Sequence, residues 1–299
     1  MRPRLLGLAP VLLLLAATAC GGGEPEPAAS ETATIRFASY DFTENQILAE
    51  VYADAARRAG LAVSVQEGVG TREVVQPALQ QGVVDVVIDY LGTAVAFTGG
   101  DDPARERTPD ELGTALTEAL GEQGVSVLDA ARAEDQNGFA VTTAFGAEHG
   151  VGRLSDLAAL APDLVFGGPP ECPQRPFCLK GLEDTYGLHF REVRSMPSRG
   201  ATVEALVSGE IDVGLLETTD ARLSVSPVML LVDDRGLQPH ENVVPLVRTE
   251  VLDRWGDRLR TALDEVSARL VTADLVLLNA AVELDGLTPA EAAARWWDG

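Results

Sequence analysis

Metal chemistry, nucleophilic catalysis and nucleic-acid binding are all poorly supplied in this chain. Its 299 residues include three cysteines, three histidines and only 5% aromatic residues. His149, His189 and His240 are scattered, and no nucleophile elbow, phosphate loop or metal-ligand spacing is present. Basic residues number 23 against 46 acidic ones, a formal net charge of −23. Such a surface repels nucleic acid and draws cations over long range. Carboxylate pairs arise here by abundance alone, so none of them singles out acid–base catalysis. The apolar run from Leu5 to Ala16 is too short for a permanent membrane span. No catalytic residue, cofactor or metal site is expected.

What is present begins with an export signal. Arg2 and Arg4 precede the apolar run, and small residues, Ala17-Thr18-Ala19, lead to Cys20. A cysteine at this point followed by Gly21-Gly22-Gly23 resembles a bacterial lipobox, with Ala17 where leucine is usual. The resemblance implies a signal peptide over 1–19, a lipidated Cys20, and anchorage to the outer face of the bacterial cytoplasmic membrane. Residues 20–33, rich in Gly, Pro, Glu and Ala, read as a flexible tether. In an exported chain Cys172 and Cys178 are expected to form a disulfide. Zinc binding would want four ligands, and no histidine or third cysteine lies near these two.

The mature part repeats itself. Ala78-Leu79-x-x-Gly82-x-x-Asp85-Val86 returns as Ala205-Leu206-x-x-Gly209-x-x-Asp212-Val213, and Thr71-Arg72 is echoed by Ser198-Arg199. Each copy reads as polar turn, helix, glycine and strand. Upstream, Ile35–Ser39 alternates as a strand, Thr43 and Gln46 are placed for a capping box, and Ile47, Leu48, Val51, Tyr52 and Ala55 make a helical stripe. Pro77 predicts a kink or a late start in the next helix, and Val84–Ile88 is a buried strand of the parallel kind. The order β-α-β-α-β predicts an α/β fold of two lobes, each an open, mostly parallel sheet flanked by helices, with a cleft between them.

Polar and aromatic residues gather where these strands end, the edge at which open α/β sheets bind ligands. They are Ser39-Tyr40, Gly70-Thr71, Asp89-Tyr90-x-x-Thr93 and Glu217-Thr218-Thr219-Asp220. Phe42-Thr43-Glu44, Leu48-Ala49-Glu50, Gly70-Thr71, Ala78-Leu79, Asp89-Tyr90-Leu91-Gly92-Thr93, Tyr186-Gly187-Leu188 and Thr219-Asp220 together resemble the substrate-binding proteins of osmoprotectant ABC importers, from about Ile35 to the C-terminus. Those proteins serve glycine betaine, choline, carnitine and related solutes, and have the two-lobed periplasmic-binding-protein fold of type II. The resemblance implies one lobe from residues 33–136 and 241–299 and another from 137–240. It implies partners too: a small polar solute, a membrane permease and its ATPase subunits. The same fold also serves envelope sensors and, with a catalytic constellation, enzymes.

In that family an aromatic cage holds the quaternary ammonium by cation–π attraction. Tyr90 and Thr93 match the family's Tyr-Thr-Gly-Thr pocket motif, with Leu91 in place of its first threonine. Phe139 falls where the family often has a cage tyrosine, and Arg175 near its carboxylate-binding arginine. Tyr40 stands at a position that is often lysine, Glu217 where a cage tyrosine precedes Thr-Asp, and Pro239-His240-Glu241-Asn242 where a Pro-Tyr segment supplies a ring. The expected ligand contacts are therefore Tyr40, Thr71, Tyr90, Thr93, Phe139, Arg175 and Glu217. Trp255, Trp296 and Trp297 are read as packing residues of C-terminal helices.

Overall fold

A computed structural model describes residues 33–99 and 106–299. The signal, Cys20 and the tether up to residue 32 lie outside the described residues.

The chain opens with β1 (Ile35–Tyr40), α1 (Thr43–Arg58), β2 (Val63–Gly70), α2 (Arg72–Gln80), β3 (Val86–Tyr90), α3 (Leu91–Phe97), α4 (Pro109–Gly121) and β4 (Val125–Val127). A second set follows: β5 (Asn137–Thr142), α5 (Thr143–His149), β6 (Val165–Gly168), α6 (Leu179–Gly181), β7 (Glu192–Ser195), α7 (Arg199–Ser208), β8 (Val213–Glu217) and β9 (Val228–Leu230). The chain then returns through β10 (Val243–Arg248) to α8 (Thr249–Trp255), α9 (Asp257–Arg269), α10 (Thr272–Glu283) and α11 (Pro289–Asp298).

Two five-stranded sheets result, in the orders β2-β1-β3-β10-β4 and β7-β6-β8-β5-β9. These orders are the same pattern twice, so the sequence repeat reflects two similar lobes. Each sheet is mixed. Three neighbouring strands are parallel, and the strand that arrives from the other lobe, β10 or β5, pairs antiparallel on both sides. Segments 128–136 and 231–242 carry the chain between sheets, and they meet at the antiparallel bridge Glu134–Asn242.

Strand alternation explains the core. Phe37, Val86 and Ile88 face α1, where Ile47, Leu48, Val51 and Tyr52 are fully buried. Ala38, Val87, Val244 and Leu246 face the opposite way, onto Val75, Leu79, Leu112 and Leu116. Trp255, Trp296 and Trp297 pack against the first of these clusters, and Arg269 lies 4.8 and 4.9 Å from the two C-terminal indole rings.

Local details differ from the sequence reading. Phe42, not Thr43, caps α1, and no side-chain cap bond forms. Asn45 does the local pinning: its Oδ1 accepts from Tyr40 N–H and its Nδ2 donates to the Ile88 carbonyl. Pro77 sits inside α2 without a late start. β7 gave no signal because its Glu-Val-Arg-Ser stretch is an edge strand with exposed and half-buried side chains and no apolar alternation. Among the described residues no helix is long and apolar enough to cross a membrane.

Candidate functional site

The C-terminal ends of β1, β3 and β8 face one cavity between the lobes, which holds about 150 Å³ and suits a small solute. Tyr40, Thr71, Tyr90, Thr93, Arg175 and Glu217 all line it. Phe139 does not. It lies on the same face of β5 as Asn137 but one pleat repeat deeper, where it is 1% exposed and packs 6.2 Å from Phe166. Two of the four aromatic walls, Phe42 and Phe177, are residues that sequence reasoning missed. Phe42 stands between Tyr40 and Tyr90, with ring centroids 6.3 and 6.1 Å away, and Phe177 enters from the other lobe. Phe42 was visible as part of a family motif, but as a residue of the strand-to-helix turn it carried no signal of facing the cleft.

Three arginines line the cavity, and each is committed to a carboxylate. Arg72 pairs with Asp89 in full burial, with its guanidinium 5.0 Å from the Tyr40 ring; the Tyr40 hydroxyl donates to the same carboxylate at 2.6 Å. Arg199 donates to both oxygens of Glu217. These are the two arginines of the repeat, each at the first position of its helix, where the helix dipole disfavours a cation. The carboxylate at the adjoining strand end compensates. It sits one residue earlier in β3 (Asp89) than in β8 (Glu217) when the repeat is aligned, so sequence alone did not match the pairs.

Arg175 lies 2.9 Å from Glu73 across the cleft mouth, and the Thr71 hydroxyl donates to Glu73 at 2.6 Å. Arg175 and Glu73, the latter held by Thr71, therefore form a lobe-to-lobe contact at the rim. Thr93 is engaged as well: its N–H and hydroxyl both donate to Glu241, on the second interlobe segment. Gly92 allows this approach, since a Cβ there would lie 2.3 Å from Pro239.

At and beneath the floor lie buried acids held by neutral donors. Glu44 accepts from Tyr90 Oη at 2.8 Å, Thr219 Oγ1 at 2.6 Å and Asn279 Nδ2 at 2.7 Å, a knot that ties the lobes together. Asp135 accepts from the Thr218 hydroxyl and the Thr219 N–H. Burial raises both acids, and the proximity of Glu44 and Glu217 pushes Asp135 well above the carboxylate range. Burial and then Glu44 also raise the Tyr90 phenol, which stays a neutral donor.

Burial pushes Glu241 from 4.5 to about 7. Its folded value is the higher one, so below 4.5 both states carry the proton, and as pH rises to about 7 only the unfolded chain releases it freely. This group therefore erodes stability as pH rises through that window. Glu241→Gln is expected to remove that part of the slope, read as the difference between wild-type and variant denaturation profiles from pH 4.5 to 7.5; parallel profiles would refute the assignment.

Residues 33–299 match the protein family described as substrate binding domain of ABC-type glycine betaine transport system. A glycine-betaine-binding protein of Pseudomonas aeruginosa is 29% identical over 277 residues, covering 89% of this chain and 87% of its own length. A carnitine transport binding protein of Listeria monocytogenes is 25% identical over 296 residues, 96% of this chain and 92% of the relative. The crystal structure of a glycine betaine/carnitine/choline ABC transporter protein superposes with a TM-score of 0.71 at 21% identity, over 88% of this chain and 97% of that one, a likeness of fold. Cys172 and Cys178 are joined as a disulfide at the edge of the cavity.

Proposed function

Because the chain belongs to the family of substrate-binding domains of ABC-type glycine betaine transport systems, we propose that it captures a small quaternary amine in the interlobe cleft and hands it to a membrane permease driven by ATPase subunits. Tyr40, Phe42, Tyr90 and Phe177 supply ring faces for a group that cannot donate hydrogen bonds. Thr71, Thr93, Arg175 and Glu217 act through their partners, holding the rim and the cleft walls. The lobes comprise 33–136 with 241–299, and 137–240. Residues 1–19 direct export, and a lipidated Cys20 keeps the protein at the outer face of the cytoplasmic membrane.

The observation that carries this reading is the charge arrangement around the rings. The arginines that line the cavity are all paired, whereas Asp135 and Glu241 accept from hydroxyl and amide groups. A ligand carboxylate thus finds no free guanidinium, and a ligand cation finds two acids that ionise on its arrival. The cleft favours a cation over a zwitterion. Calorimetric titration of the full-length protein is expected to show choline binding at least about tenfold tighter than glycine betaine, a difference of ~1.4 kcal/mol. Equal affinities would remove the charge argument, and silence from both would overturn the quaternary-amine reading.

A further inference from the structure

Beyond Phe42 the cleft continues into a second compartment of about 260 Å³, also walled by both lobes. The two compartments share Asp41, Phe42, Pro169, Glu171, Arg199 and Glu217, so they lie side by side in the cleft. Their chemistry differs. Phe42 is the one ring on the second wall, which otherwise presents prolines, hydroxyls, acids and paired arginines.

Most polar groups there are satisfied. Glu44 has its three donors, and Arg222 bridges Glu283 of α10 and Asp220. Two acceptors are left over: Asp220 Oδ2 and Asn279 Oδ1 are buried without a hydrogen-bond partner, in residues 6% and 4% exposed. The Asn279 amide cannot simply be reversed, because its Nδ2 already donates to Glu44 and to the Thr219 carbonyl. Asp220 follows β8 in one lobe and Asn279 belongs to α10 of the other, so the two acceptors sit on facing lobes. Buried acceptors are normally matched to donors. Among the described residues no group of three or more His, Cys, Asp or Glu side chains is placed to hold a metal.

We propose that this second compartment is a subsite for an N–H-bearing cationic group, such as a primary ammonium, at the far end of an elongated solute whose methylated head lies against Tyr40, Phe42 and Tyr90. This rests on the quaternary-amine reading of the first compartment. Such a group donates to Asp220 Oδ2 and Asn279 Oδ1 as the lobes close, and the acidic wall balances its charge.

The test compares two probes that differ only at the far end, pentyltrimethylammonium and (5-aminopentyl)trimethylammonium, titrated with choline and glycine betaine into the full-length protein. The amino probe is expected to bind at least tenfold tighter than its methyl-ended analogue. Asp220→Asn, which keeps the shape and the oxygen that caps Arg222 N–H, is expected to erase that advantage while leaving the methyl-ended probe unchanged. Equal affinity of the two probes, with choline still binding, overturns the subsite alone, as does an advantage that survives Asp220→Asn. Failure of all four solutes to bind overturns the quaternary-amine reading and the subsite with it.

Discussion

Replacing Arg72 by methionine is expected to lower the unfolding free energy by about 3–5 kcal/mol, the usual result of removing one partner from a buried ion pair. Arg72 is 7% exposed and Asp89 fully buried. Methionine fills much of the arginine volume, so the loss is chiefly electrostatic: Asp89 would keep only the Tyr40 hydroxyl and the Tyr90 N–H as donors. Burial opposes the Arg72 charge, yet Asp89 and the neighbouring groups raise its pKa, so the guanidinium stays charged in the folded state. The double variant Arg72→Met/Asp89→Asn should recover part of the loss, with a coupling of about 1–3 kcal/mol in a double-mutant cycle. Urea denaturation of the four proteins measures it. A single variant within about 0.5 kcal/mol of wild type would show that packing, not the pair, holds this strand end.

At Tyr90 two substitutions separate the ring from its hydroxyl. Tyr90→Ala removes a wall of the aromatic compartment and is expected to weaken choline binding by about 30-fold, as the loss of a desolvated cation–π contact of about 2 kcal/mol requires. Tyr90→Phe keeps the ring, so affinity should stay within a few-fold of wild type. It removes a donor from buried Glu44, and stability should fall by about 1–3 kcal/mol. Calorimetry and denaturation on the same preparations read the two effects independently. If Tyr90→Phe abolished binding while Tyr90→Ala merely matched it, the hydroxyl rather than the ring would be the ligand contact.

The two substitutions also show how far the site was legible. Tyr90 was marked by its place at the end of a buried strand, a signal that needs only the period of side chains and the rule about strand ends. Phe139 was placed at the ligand only by resemblance to a cage tyrosine and lies in the core, because a matching position does not tell how deep a residue sits beneath the rim. Arg175 was placed near the ligand by resemblance, yet Glu73 holds it, a residue 102 positions away in sequence. Glu44 and Asp135 gave no separate signal in a chain so rich in acids, and only burial distinguishes them from solvated ones.

Elements and their order follow from forces that act over a few residues. Apolar periodicity, glycine stops and the repeated Thr/Ser-Arg-helix-glycine-strand unit were enough to imply two similar α/β lobes. The cleft's charge balance obeys a different kind of rule. Whether an arginine is free to meet a ligand depends on which carboxylate lies within a few ångströms of it, and that is decided when separate segments pack. Arg72 and Asp89, 17 residues apart, and Thr219 and Glu44, 175 apart, become partners only in the folded chain. Desolvation then makes those pairings strong, because charges and donors withdrawn from water have no other partner to turn to.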